Sequence, residues 1–76
     1  MVLERTYHAA VVHSRITVEG TVYDTYGIEV CCGEEYAVVH DISVDRADVE
    51  VLCRRIRDGR LAPCHLQAVA EEFVDR

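Results

Sequence analysis

No stretch of this sequence approaches the roughly 18 consecutive apolar residues of a membrane span. A secretory signal needs a positive start and an apolar run of about 7–15 residues. Here Glu4, Arg5 and His8 interrupt the opening, and the longest early apolar run is Ala9 to Val12. The expectation is a cytoplasmic chain with no membrane partner. Its four cysteines, Cys31, Cys32, Cys53 and Cys64, are then expected as free thiols in a reducing compartment. Proline occurs once, and repeats, linkers and low-complexity segments are missing. That excludes a disordered tail and a collagen-like repeat. Lysine is absent, so the 8 basic residues are all arginine, a bias read as codon usage rather than physics.

What is present is a short, acidic, half-apolar chain. It has 76 residues, 50% of them hydrophobic and 29% charged. That length holds one domain, 1–76, and leaves little material for a deep catalytic cleft once a core is filled. The net charge is −6, of which −5 falls on residues 1–43 and −1 on residues 44–76. Such a chain repels a phosphate backbone, so no nucleic-acid partner is expected. The four tyrosines lie on predicted strands and could stack bases, but the basic residues of a sheet-type RNA binder are missing.

The halves differ in period. Residues 4–43 are rich in Val, Ile, Tyr and Thr and are cut by two turn signals, Val18-Glu19-Gly20-Thr21 and Cys32-Gly33-Glu34-Glu35. Two-residue loops there predict strands over about 4–18, 21–32 and 35–42. Arg15 then faces Asp24, Val11 faces Ile28, and Val30 faces both Ala9 and Ala37. A bulge at either turn glycine would flip part of this register. The register sorts side chains onto two faces. The first carries Tyr7, Ala9, Val11, Val22, Tyr26, Ile28, Val30, Cys32, Ala37 and Val39. The second carries His8, Ala10, Val12, Ile16, Tyr23, Glu29, Cys31, Tyr36, Val38, His40 and Ile42.

Helical spacing follows. Ser43 or Asp45 caps a helix over about 45–58, whose buried stripe is Val49, Leu52, Cys53 and Ile56. Gly59 is expected to end it in a left-handed conformation. Pro63 opens a second helix over about 63–75, with the stripe Leu66, Val69, Ala70 and Phe73, and Ala62 is a poor cap before it. The fold expected is α+β: a three-stranded antiparallel meander, then two amphipathic helices packed on one sheet face. The second face is left over. Val12, Tyr23, Tyr36, Val38 and Ile42 form its expected interaction surface, and a patch of that kind marks association. The partner expected is a second copy, as a dimer, or another protein.

The stretch Thr25-Tyr26-Gly27-Ile28-Glu29, then Asp41-Ile42-Ser43, a capped helix, Pro63 with His65-Leu66, and Glu71-Glu72-Phe73 resembles a family of small uncharacterised proteins from anaerobic Gram-positive bacteria. The resemblance covers about residues 20–75. Ala62 departs from its pattern, which has a capping Ser there. It implies a domain of unknown function and carries no activity, substrate or cofactor.

Several constellations could bear chemistry. Zinc sites use paired ligands two to four residues apart, such as C-x-x-C, and this chain has none. Cys31 and Cys32 are adjacent and point to opposite faces of a strand. His8 is expected opposite Cys31, and with Glu29 and His40 these make a candidate pH-sensitive or metal cluster, since a neighbouring carboxylate raises a His pKa. Cys64 near a helix start is a candidate nucleophile, with His65 adjacent but diverging. Asp24 is accounted for by Arg15 and Asp41 by the strand-to-helix junction, so no carboxylate pair stands out for acid–base work. Arg54, Arg55, Arg57 and Arg60 cluster at the end of the first helix, where they suit the dipole, and Glu50 is placed to pair with Arg54. Phosphate-loop, dinucleotide and H-E-x-x-H motifs are missing. The reading is a non-enzymatic interaction or self-association module without a cofactor. The alternatives are a metal- or thiol-dependent regulator using Cys31, His8 and Cys64, and a subunit of a larger enzyme.

Overall fold

The computed structural model describes residues 6–74, so the predicted strand positions 4 and 5 and helix position 75 lie outside the described residues. Three antiparallel strands come first: β1 Tyr7–Val18, β2 Thr21–Cys32 and β3 Glu35–Ser43. They lie in the order β1-β2-β3. Helix α1 is Arg46–Asp58, a 3-10 turn follows at Pro63–His65, and α2 is Leu66–Val74. Both helices pack on the sheet, giving the α+β meander that the periodicity predicts.

Turn chemistry sets the pairing. Glu19 and Gly20 both have positive φ, 50° and 79°, the signature of a type I′ loop. Gly33 alone has positive φ at the second turn, at 61°, which fits type II′. The first hairpin keeps one register over its whole length, from Tyr7 opposite Cys32 to Val18 opposite Thr21, with Arg15 opposite Asp24. The second follows the predicted register from Cys32–Glu35 to Ile28–Val39.

Beyond Val39 the register breaks, and one predicted position changes sides. Tyr26 pairs with Ser43, so three residues of β3 lie opposite the single residue Gly27. Asp41 takes a left-handed φ of 55° inside this bulge. A Cβ on Gly27 would strike the Val39 carbonyl oxygen and come within 2.9 Å of the His40 Cα. The bulge therefore needs glycine on the neighbouring strand. Thr25, fully buried, donates to Asp41 Oδ1 at 2.6 Å and holds the bulged strand in place. The result corrects the sequence reading of Ile42. It does not lie on the second face but belongs to the buried core, because the left-handed step at Asp41 ends the alternation.

The core lies between the first sheet face and the helices. Ala9, Ile28, Val30 and Ile42 meet Val49, Cys53, Ile56, Leu66 and Ala70. Asp45 caps α1 by accepting from Ala47 N–H at 3.0 Å, and Ser43 Oγ accepts from Asp45 N–H at 3.0 Å, so both predicted capping residues take part. The end of α1 differs from expectation. Gly59 is right-handed at φ −84°, and Arg60 takes the left-handed position at φ 47°. Leu61 N–H reaches the Ile56 carbonyl at 3.1 Å and Arg60 N–H the Arg57 carbonyl at 3.1 Å, a Schellman closure shifted one residue on. Pro63 opens a 3-10 turn rather than the α-helix itself, and Ala62 gives no side-chain cap.

Tyr7 fastens the start of β1 to this helix end. Its hydroxyl lies 2.9 Å from the Leu61 carbonyl and 3.2 Å from that of Ile56, and Arg60 sits 5.8 Å above its ring. Burial raises the pKa of this phenol, as it does that of the Cys53 thiol in the core. No helix among the described residues is long and apolar enough to cross a membrane.

The molecule is long, 55 × 22 × 18 Å, with a radius of gyration of 13.6 Å. A compact chain of this length would show about 11 Å. The excess comes from the first hairpin. No residue from Ser14 to Asp24 belongs to the core, and residues 17–24 are all exposed. This end is a two-stranded ribbon reaching past β3 and the helices.

Gly27→Ala is expected to cost about 3 kcal/mol or more, since backbone must move to admit the methyl group. Tyr7→Phe should cost about 1 kcal/mol, one net hydrogen bond. Urea unfolding followed by circular dichroism checks both.

Candidate functional site

With the helices on one side, the second sheet face is left uncovered by them, although Thr25, midway along it, is fully buried beneath the bulge of β3. Even-numbered positions of β1 and odd-numbered positions of β2 point to it, so His8, Ala10, Val12, Ser14, Ile16 and Val18 run beside Cys31, Glu29, Tyr23 and Thr21. Tyr36 and Val38 join from β3, opposite Cys31 and Glu29. Four of the five predicted surface residues are therefore together on this face. Tyr23 is 45% and Tyr36 58% exposed, while Val12 and Val38 are half-buried among their strand neighbours. Ile42, the fifth, is in the core.

The polar end of the face is organised by Glu29. One carboxylate oxygen lies 3.5 Å from His8 Nε2, and the other accepts from the Tyr36 hydroxyl at 3.1 Å. That hydrogen bond holds the Tyr36 phenol above its ordinary pKa. Cys31 lies between them, opposite His8 on one side and Tyr36 on the other. The structure thus brings His8, Glu29 and Cys31 together, as expected, and adds Tyr36, which the sequence reading assigned only to the apolar patch. His40 is separated from them. It is exposed at the bulge opposite Gly27 and makes no ion pair or side-chain hydrogen bond among the described residues. No group of three or more His, Cys, Asp or Glu side chains among the described residues is placed to hold one metal ion.

The other candidates are dispersed. All four cysteines are free; Cys53 is buried and Cys64 exposed. Cys64 lies inside the 3-10 turn, with His65 next to it in the chain. The arginine cluster is partly engaged within the fold. Arg57 donates to the Ala9 carbonyl at 2.9 Å, and Arg60 covers Tyr7. Glu50 pairs with Arg46 at 2.9 Å rather than with Arg54, a correction to the expected partner. Arg46, in the first turn of α1, lies four residues before Glu50 and Arg54 four residues after it, so both pairings have the same spacing.

On the first face of the ribbon, a polar cluster continues where the helices stop. Asp24 Oδ1 lies 2.9 Å from His13 Nε2 and 3.2 Å from Arg15 Nε, and the His13 ring stacks on Tyr26 at 5.2 Å. The Arg15 pairing was legible from the register. His13 was not singled out, although its position diagonal to Asp24 on the same face follows from the same pairing.

The His13 hydrogen bond, then that of Arg15, holds the Asp24 carboxyl below its ordinary value of 3.8. A depressed carboxyl adds stability that is fully present above its unfolded pKa and is lost as pH falls through the lower folded value. Carbon-detected titration should therefore place the Asp24 midpoint below 3.8. His13→Ala with Arg15→Ala should return it toward that value.

Comparison with known proteins places this chain in a family. The sequence model of a family of unknown function, DUF6514, matches residues 3–76, and the chain belongs to that family. No curated protein and no solved structure matches it.

Proposed function

We propose that this DUF6514 chain is a non-enzymatic protein-interaction module that self-associates through its open sheet face. The observation that carries the reading is one-sided coverage. Two helices shield one face of the sheet, and the other presents Val12, Tyr23, Tyr36 and Val38 with Ala10, Ile16 and Val18 between them. Transfer of apolar area from water is worth roughly 25 cal/mol per Å², so such a face favours a cover. Charge does not oppose it: Glu29 is the one acidic side chain among these positions, and His8 stands beside it.

The reading places the module in a bacterial cytoplasm, where its thiols stay reduced. A sheet face that presents Val12, Tyr23, Tyr36 and Val38 in a row supports binding better than catalysis. The thiol or metal regulator has less support, because its ligands do not gather around one point.

Light scattering on the purified chain should give a mass above that of one chain. Tyr36→Asp should lower that mass while far-UV circular dichroism stays unchanged, since Tyr36 is 58% exposed and outside the core. A wild-type chain that remains single at millimolar concentration would remove self-association.

A further inference from the structure

We infer that the outer edge of β1, from Val11 to Thr17, is a dimerisation strand that pairs antiparallel with the same strand of a second copy. This inference deepens the self-association reading and rests on it. The edge is open in a specific way. Thr6 carbonyl accepts from Gly33 N–H at 3.0 Å, so even-numbered residues of β1 direct their backbone groups toward β2. Odd-numbered residues direct theirs outward. Arg57 confirms this at Ala9, whose carbonyl it takes from the outer side. Past that point the outward groups of Val11, His13, Arg15 and Thr17 have no backbone partner within the described residues.

Sheet edges are ordinarily blunted by proline, bulges, charge or short length. β3 follows that rule. It ends in a bulge with the left-handed Asp41 and starts at Glu35. β1 does not. It is 12 residues long, without proline and without a bulge in its register. It also contains no acidic residue, in a chain whose Asp and Glu number 14. A second copy of an acidic protein can therefore approach this edge where its own negative charge is missing. Arg15, the one arginine of the strand, and His13 are already held by Asp24.

The occupant must be an extended strand, because the unsatisfied groups are a row of N–H and C=O. A second β1 fits the need of the ribbon itself. Two strands alone are marginal in water, and three or more are needed for independent stability. A two-fold axis near Ser14 sets Val11 beside Thr17 of the second copy and His13 beside its Arg15. It sets Val12 beside Ile16 and Ala10 beside Val18 on the open face, and it stops short of the Arg57 cap on Ala9. The ribbon then becomes the centre of a six-stranded sheet. The open face of one chain, 12 residues long and two to three strands wide, covers only about 500 Å². Stable interfaces take about 800 Å² from each partner. Edge pairing doubles the face past that figure, so the dimer is the unit that presents it.

Amide hydrogen exchange on the full wild-type chain tests the edge directly. The amides of Val11, His13, Arg15 and Thr17 should be protected at high protein concentration and lose that protection on dilution. Thr17→Pro, which removes an outward N–H that β2 does not use, should reduce the mass to one chain. Tyr36→Asp should leave a mass of two chains with the four amides still protected. A wild-type oligomer in which these amides exchange freely would overturn the edge and leave the open-face reading standing. A Tyr36→Asp chain that is single would do the same. A wild-type chain that is single at every concentration, with the four amides unprotected, would overturn both.

Discussion

The missing Cβ of Gly27 is the constraint on which this arrangement depends. β3 crosses β2 at that residue with its backbone closer than any side chain would permit, and three of its residues fit opposite one. The bulge has two structural consequences. It turns Ile42 inward, which adds a branched side chain to the core where α2 packs on β3. It also delivers Ser43 and Asp45 to the start of α1, where both accept backbone hydrogen bonds. Had β3 continued flat, Ile42 would face water and the chain would enter α1 from the opposite side of the sheet. Thr25 and Asp41 give the bulge its polar fixing point, and a fully buried hydroxyl with a 2.6 Å bond leaves little freedom there.

Because the bulge ends the pairing of β2 with β3 at Tyr26, it also determines how much of the first hairpin is supported. The proximal half has a third strand and helices over it. The distal half has neither. The two halves should differ in local stability, since burial is concentrated in one of them. His13, Asp24, Arg15 and Tyr26 stand at the boundary and give the ribbon a polar, stacked base on the side where the helix layer stops. These contacts are exposed, so they orient the ribbon more than they stabilise it.

The elements were legible in the sequence because each carried a local signal. Gly20 and Gly33 marked the turns, alternation marked the strands, and the stripe from Val49 to Ile56 marked the first helix. Even the register followed from turn length, over the whole first hairpin and in the second as far as Val39. What was not legible depended on backbone geometry between segments distant in sequence. A glycine inside a strand signals a bulge or close approach, yet Gly27 lies within β2 while its bulge is on β3, and nothing near His40 announces it. Ile42 was misplaced for that reason. The shift of the left-handed residue from Gly59 to Arg60 has a tertiary cause as well. Moving the closure one residue on lets Leu61 N–H meet the Ile56 carbonyl and lets the Tyr7 hydroxyl reach the carbonyls of Ile56 and Leu61, contacts spanning about two-thirds of the chain. Of the candidate site, His8, Glu29 and Cys31 could be placed by pairing alone. His40 could not, because it lies past the point where pairing arithmetic holds.

The difference between the two sheet edges bears on what kind of assembly this fold allows. If both edges were open, each added chain would present a fresh edge, and antiparallel addition would continue without limit. Here β3 is interrupted by its bulge, and Arg57 occupies the Ala9 carbonyl at one end of β1. The segment Val11–Thr17 carries neither obstruction, and a strand that pairs with its own copy across a two-fold axis consumes the edge of both. Assembly through that segment closes at two chains. The acids follow the same division: β1 carries none, while Glu34, Glu35 and Asp41 lie along β3 and its turn. Charge and bulge thus fall together on the β3 edge, and both are absent from β1.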